Sequence, residues 1–176
     1  MKTHSLLATA GCALALFVTG CGVITVRHVP KFTVSPAKMS DLHGSQPIDV
    51  KAGESSATET KVGTVGMGKV VAKPSEWTDA AVAAVRKNLS ARGATITAGS
   101  PKALTITMTK AEVSSIPIIG VSNSKIFLTV TTPEGLNSKF EGSGSSMAPL
   151  GAVDGAAEDA VKKLLTDSAV EAYLRK

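Results

Sequence analysis

The chain has 176 residues, a formal net charge of +5 and an aromatic content of 3%. Its length is that of about one domain. Lysine and arginine are scattered without a long basic run; a solvated surface explains this charge, and attraction to anionic lipid head groups is the alternative. Nucleic-acid binding is excluded because the basic residues do not alternate with aromatic ones.

Residues 1–20 have the layout of a secretory signal peptide. A short positive start precedes an apolar run from Leu6 to Val18 that carries no charge, and such a run followed by small residues is typical of exported proteins. The sequence Val18-Thr19-Gly20-Cys21 resembles the lipobox of bacterial lipoproteins. This resemblance implies that Cys21 is acylated, becomes the first residue of the mature chain and holds it to a membrane.

Two other interpretations of the N-terminal segment remain open. One is a soluble secreted protein with an incidental cysteine. The other is an uncleaved anchor, since the stretch from Leu6 to Val26 is about long enough to span a bilayer. The chain has 2 cysteines, of which Cys12 would leave with the signal peptide. The mature chain would then have no intramolecular disulfide, and its stability would come from packing.

Residues 21–45 are predicted to form a flexible tether behind the acylated cysteine. No hydrophobic period is sustained there, and a flexible chain of about 25 residues spans on the order of 25–30 Å. Residues 46–176 carry the periodic patterns of a single periplasmic domain. We therefore expect a folded domain that stands off the membrane surface.

The first half of this domain is predicted to contain two short strands and a helix. The apolar pattern favours strands over residues 46–51 and 67–71. Residues 75–92 are predicted to form a helix, with Ser75 as its N-cap and Gly93 closing it in a left-handed conformation. The apolar stripe of this helix consists of Trp77, Ala81, Val82, Val85 and Leu89.

The second half is predicted to contain three strands and a final helix. Apolar residues alternate with polar ones, many of them threonine, over residues 103–113, 125–132 and 139–146, which indicates a sheet with one wet face. The final helix is predicted to run from Asp154 to about Leu174. The expected fold class is α+β: a two-layer sandwich of a mostly antiparallel sheet with two helices packed on one face.

The order of these elements resembles that of the uncharacterised bacterial lipoproteins of the YajG type. The similarity covers residues 46–174 and includes the helix end Leu89-Ser90-Ala91-Arg92-Gly93, the helical stretch 159–167 and Cys21 at the lipobox. It implies a periplasm-facing domain that is anchored in the outer membrane. Gly22, which follows the cysteine where an aspartate would signal inner-membrane retention in enteric bacteria, also favours the outer membrane.

An apolar loop between two predicted strands is the candidate partner surface. Its apolar residues are Ile116, Ile118, Ile119 and Val121. If they are exposed, they make a patch suited to contact with a protein or a membrane; if they fold back over the sheet, they are core. Met147 belongs to a second apolar loop with the same two possibilities.

No catalytic, cofactor-binding or metal-binding residues are predicted. Ser122 and Lys125 have the S-x-x-K spacing of serine acylases, but the K-T-G and S-D-N partner motifs are missing. The stretch Gly63–Val70 nearly fits a phosphate-binding loop. However, Val70 replaces the required hydroxyl residue and Pro74 delays the helix that should follow. No Cys or His cluster has metal-ligand spacing.

The expected function is therefore non-enzymatic. We expect a lipid-anchored envelope lipoprotein at the periplasmic face of the outer membrane, bound to the membrane through acyl chains on Cys21 and contacting an envelope protein or lipid. Two alternatives stay open. One is an envelope serine hydrolase that uses Ser122 and Lys125, and the other is a periplasmic module that carries lipid between its helices and its sheet.

Overall fold

The computed structural model describes residues 24–36, 39–66, 68–116 and 120–176. Within these ranges the chain forms seven strands and three helices. The strands are β1 (Thr25–Arg27), β2 (Asp49–Ala52), β3 (Thr60–Val65), β4 (Gly68–Ala72), β5 (Ala103–Ile116), β6 (Val121–Thr131) and β7 (Asn137–Ser146). The helices are α1 (Pro74–Ala91), α2 (Pro149–Thr166) and α3 (Ser168–Arg175).

The seven strands make one mixed sheet. Its order is β1-β4-β3-β5-β6-β7, and β2 also pairs with β5. The pairs β3–β4, β5–β6 and β6–β7 are antiparallel, whereas β1–β4, β2–β5 and β3–β5 are parallel. The predicted α+β class is confirmed, but the finer prediction of a mostly antiparallel sheet with two helices matches only roughly.

The helices α1 and α2 cover the same face of this sheet. Trp77 of α1, Met108 of β5, Leu128 of β6 and Ala157 of α2 line one small cavity between the layers. The strand residues that alternate with the inward ones on β6, such as Thr129, are half-buried or exposed. The predicted wet, threonine-rich face is therefore present on the side of the sheet away from α1 and α2.

The helix boundaries differ from the predicted ones. Ser75 is not the N-cap of α1: the helix starts at Pro74, whose fixed φ suits the first helical turn, and Lys73 caps it without a side-chain hydrogen bond. The C-terminal prediction is confirmed, since Gly93 has φ +90°. The single helix predicted from Asp154 is also wrong, because α2 starts at Pro149 and a separate helix α3 follows.

Asp167 explains why the last helix is split. Its backbone is extended, and its Oδ1 accepts hydrogen bonds from Ala169 N at 3.1 Å and from Val170 N at 3.0 Å. Aspartate favours this N-cap geometry over a helix interior because its side chain competes for backbone N–H groups. The break turns α3 toward β5, where the Tyr173 hydroxyl accepts from Ala103 N at 2.9 Å.

The segment predicted to be a flexible tether packs against the domain. The Trp77 indole Nε1 donates to His28 O at 2.7 Å, and His28 Nε2 lies 2.7 Å from Asp154 Oδ1 at the start of α2. Val34 and Leu42 are buried, with 6% and 2% of their surfaces exposed. Their isolated positions in the sequence produce no period, so the sequence pattern did not reveal that they belong to the core.

A buried arginine fixes the second part of this segment. Arg92 donates from Nε to Ser40 O at 2.7 Å and from Nη2 to Glu171 Oε1 at 3.2 Å. Ser40 Oγ donates to the same carboxylate oxygen at 2.7 Å. Only 2% of the Arg92 side chain is exposed, and this burial lowers its pKa. The cluster therefore joins the N-terminal segment, the end of α1 and helix α3.

Glu171→Gln is expected to lower the free energy of unfolding by about 1–3 kcal/mol at neutral pH, because the buried guanidinium loses its charged partner. The hydrogen bond from Ser40 holds the pKa of Glu171 below its ordinary value of 4.5. The stabilisation is therefore complete above that pH and is lost as the pH falls through the lowered pKa. Urea denaturation followed by circular dichroism should show that the difference in free energy of unfolding between the wild type and Glu171→Gln becomes smaller at acidic pH.

Glu134→Gln is the matched control for this experiment. Glu134 also pairs with a cation, Lys176, at 2.8 Å, but both side chains are more than half exposed. Solvent screening makes such pairs weak, so the control should have the same free energy of unfolding as the wild type at neutral and at acidic pH. A Glu171→Gln difference that stays constant from neutral to acidic pH would contradict the assignment.

Gly142→Ala is expected to destabilise the fold by about 1–3 kcal/mol or more, the typical cost of overpacking. A Cβ at this β7 position would overlap Ala156 O and Ala160 N, which are backbone atoms of α2 and cannot rotate away. Thermal unfolding measures the loss. Gly155→Ala is the control: its Cβ would meet only Gly144 Cα at 3.7 Å, and alanine favours a helix over glycine by about 1 kcal/mol. Equal effects of the two changes would contradict the close packing of α2 on β7.

Candidate functional site

The described chain begins beside the β3–β4 turn. Thr25 pairs with Lys69, which in turn pairs with Thr64. Lys69 N donates to Ile24 O at 2.8 Å, which fixes the residue just before β1. Cys21 lies outside the described residues, three positions before Ile24 in the sequence. The chain therefore leads from the predicted acylation site directly into the sheet.

The ends of β5 and β7 and the start of β6 lie at the same end of the sheet. Strand β3 runs parallel to β5 with Gly63 opposite Val113, so the C-terminal ends of both strands point the same way. Strand β6 starts there at Val121, and β7 ends there with Ser146 opposite Ser122. We call this edge, which carries the start of β1, the β3–β4 turn, the β5–β6 connection and the end of β7, the proximal end of the sheet.

The candidate loop is a connection between two paired strands at the proximal end. Ile116 is the last residue of β5 and pairs directly with Val121, the first of β6. Val121 is half-buried, and Gly120 has φ +67°, as a tight reversal requires. Ile118 and Ile119 lie outside the described residues. That this loop is a partner surface stays a prediction; its described ends, Ile116 and Val121, lie at the same end of the sheet as the start of β1.

The described stretches at the proximal end carry little charge. Residues 24–26, 62–66, 113–116, 120–124 and 142–153 contain no Asp, Glu, Lys, Arg or His, and Lys69, which pairs with Thr25 and Thr64, is the cation next to them. Ile24 and Met147 are the large apolar side chains exposed in the described part of the chain, at 63% and 79%, and both lie at this end. The sequence indicates the apolar loops around Val121 and Met147 separately, and only the strand register places them at one end of the sheet.

Ser122 and Lys125 are not arranged as a nucleophile and a base. They lie three residues apart on β6, so their side chains project from opposite faces of the sheet. Ser122 is fully buried on the helix side, whereas Lys125 is exposed and forms an ion pair with Glu141 at 2.6 Å. The hydrogen bond with Glu141 raises the pKa of Lys125, which is opposite to the shift a general base requires. The geometry on which the hydrolase alternative depends is absent.

The space between the helices and the sheet is too small for a lipid. The cavity lined by Trp77, Met108, Leu128 and Ala157 has a volume of about 10 Å³. A single water molecule needs roughly 10–15 Å³ of such space, so an acyl chain has no room there. This cavity therefore gives the lipid-carrying alternative no support.

The glycine-rich stretch from Gly63 to Val70 is a β-hairpin. Gly66 has φ +56° in the turn between β3 and β4, and α1 starts only at Pro74. A phosphate-binding loop instead leads directly into a helix N-terminus. Among the described residues, no group of three His, Cys, Asp or Glu side chains could hold a metal ion. In the same ranges, no helix is long and apolar enough to cross a membrane.

Comparison of the chain with protein-family models and with curated protein sequences finds no match. The resemblance to YajG-type lipoproteins thus stays a prediction from the sequence.

Ser122→Ala is expected to leave the free energy of unfolding unchanged or to raise it by up to about 1 kcal/mol. The buried Ser122 hydroxyl has no hydrogen-bond partner in the structure, so its removal relieves a desolvated polar group. Ser124→Ala is the matched control on the same face, because Ser124 Oγ donates to Glu112 O at 3.2 Å. This control should lose about 0.5–1.5 kcal/mol in urea denaturation.

The same variant tests the hydrolase alternative. A fully buried serine with no base beside it should form no adduct with a fluorophosphonate. Labelling of the native protein that disappears in Ser122→Ala would show that the hydroxyl is reactive and would contradict the structural assignment.

Proposed function

We propose that the protein is a lipid-anchored, non-enzymatic lipoprotein of the bacterial envelope. Acyl chains on Cys21 hold it at the periplasmic face of the outer membrane, where the domain contacts an envelope protein or lipid. The observation that carries the proposal is the sequence Val18-Thr19-Gly20-Cys21 after an apolar run of signal-peptide length.

The arrangement around the start of the described chain supports this proposal. Ile24, three positions after Cys21, is fixed at the proximal end of the sheet and is exposed. Acylation of Cys21 holds this end at the bilayer surface, where an exposed apolar side chain can enter the interface.

The outer-membrane location rests on two features of the sequence. Gly22 follows the acylated cysteine in place of the aspartate that would retain a lipoprotein in the inner membrane of enteric bacteria. The resemblance of residues 46–174 to YajG-type lipoproteins points to the same membrane. Stable anchoring requires more than one acyl chain, because a single chain gives marginal and reversible binding.

Neither alternative function has a supporting observation. The hydrolase needs a base beside Ser122, and Lys125 lies on the other face of the sheet. Lipid carriage needs an interlayer cavity, and the one between α1, α2 and the sheet holds about 10 Å³. Contact through the surface of the domain is the remaining function among those considered.

Cys21→Ala should abolish incorporation of an alkyne fatty acid in a bacterial host and shift the protein away from the outer-membrane fraction of a density gradient. The thiol is the acceptor of the lipid, so no other residue can replace it. Cys12→Ala is the matched control, since Cys12 lies inside the predicted signal peptide and should not affect the label. Label that persists in Cys21→Ala, or a native protein that is unlabelled and soluble, would overturn the proposal.

A further inference from the structure

We propose that the domain has no spacer and rests directly on the lipid surface through the proximal end of its sheet. The partner of this end is the head-group layer of the bilayer and the upper part of its acyl chains. The inference rests on the proposed acylation of Cys21, and it replaces the flexible tether that the sequence predicts for residues 21–45.

Chain length sets the distance between the domain and the membrane. Ile24 is three positions after Cys21, and an extended chain covers at most about 3.3–3.6 Å per residue. The acylated residue can therefore lie no more than roughly 10 Å from Ile24. The head-group layer of each leaflet is about 5–7 Å thick. An acylated Cys21 at the membrane thus brings the start of β1 to the head groups.

Contacts with the domain hold the N-terminal segment in place after Ile24, so this segment cannot extend to increase the distance between the domain and the membrane. Thr25 is held by the β1–β4 ladder, and the Trp77 indole holds His28 O at 2.7 Å. Further along, Arg92 holds Ser40 through two hydrogen bonds, at 2.7 Å to the carbonyl and 2.9 Å to the hydroxyl. Releasing the domain from the bilayer surface would require breaking these contacts in turn.

The chemistry of the proximal end fits a lipid surface. Its exposed large side chains, Ile24 and Met147, are apolar and enter an interface without desolvating an ion. The opposite end of the sheet differs, because it carries the exposed ion pair between Glu134 and Lys176. The two ends therefore differ in polarity, as orientation on a membrane requires.

One cation lies at the proximal end. Lys69 pairs with Thr25 and Thr64 at the start of β4 and is half-buried, and it takes part in none of the ion pairs found among the described residues. A lysine can lay its aliphatic stem along an apolar surface and keep its ammonium group at the level of the head groups. Arg27 and Lys125 lie further from this end and have carboxylate partners: Arg27 pairs with Glu59 and Glu76, and Lys125 pairs with Glu141 at 2.6 Å.

The test uses the purified acylated protein in phosphatidylcholine vesicles. Single cysteines are introduced by Met147→Cys and Val121→Cys at the proximal end and by Glu134→Cys at the opposite end, and each is labelled with the fluorophore NBD. Acylation blocks Cys21, so the new thiol is the only reactive one in the mature chain. We expect blue-shifted emission at positions 121 and 147, quenched by a lipid that carries a nitroxide near its head group. Position 134 should show aqueous emission without quenching.

The outcomes separate this inference from the proposed function. If mass spectrometry shows that the protein is acylated and all three positions show aqueous emission, the anchor is supported and the docking surface is rejected. Emission that is aqueous in vesicles but blue-shifted in native envelopes would assign the proximal end to a protein partner and would overturn the inference. A protein found not to be acylated disproves the anchor. In that case Cys21→Ser removes the free thiol and the measurement at position 147 is repeated. Quenching there would still support the docking surface, and aqueous emission would reject both the anchor and the docking surface.

Discussion

The hydrogen-bonded ladder between β5 and β6 is the interaction on which the rest of the structure depends. Strand β5 pairs with β2 near its start, with β3 near its end and with β6 along its length. The inner faces of β5 and β6 supply Ile106, Met108, Leu128 and Val130 to the core beneath α1 and α2. A slip of one residue in this ladder would turn the apolar set outward. The same register fixes which loops share the proximal end.

The long periodic elements of the fold could be predicted from the sequence. Burial of one face imposes a period of two on β5, β6 and β7 and a helical period on α1, and these elements lie within a few residues of their predicted ranges. Strand β1 was missed because it has three residues and owes its structure to a distant partner, and β3 because its polar and glycine-containing sequence has no clear period of two. The break at Asp167 was missed because the apolar pattern continues across it. Single contacts, such as those of Val34 and Leu42, leave no pattern at all.

The candidate site was predictable in its parts but not in its assembly. The apolar loops around Val121 and Met147 are visible in the sequence, but their exposure is not. That they share one end of the sheet with Ile24 depends on parallel pairing between β3 and β5, which no local signal specifies. Conversely, the spacing of Ser122 and Lys125 excludes a catalytic pair as soon as both lie on one strand, because a separation of three places them on opposite faces.

The pairing of β1 with β4 protects one edge of the sheet. Strand β4 is apolar, with Val70, Val71 and Ala72 buried, and β1 covers the edge that it would otherwise present. An uncovered edge of this kind is a template for pairing with other chains and for aggregation. The covering strand starts four positions after Cys21, so one short stretch of chain carries both the predicted acylation site and the protection of the sheet edge.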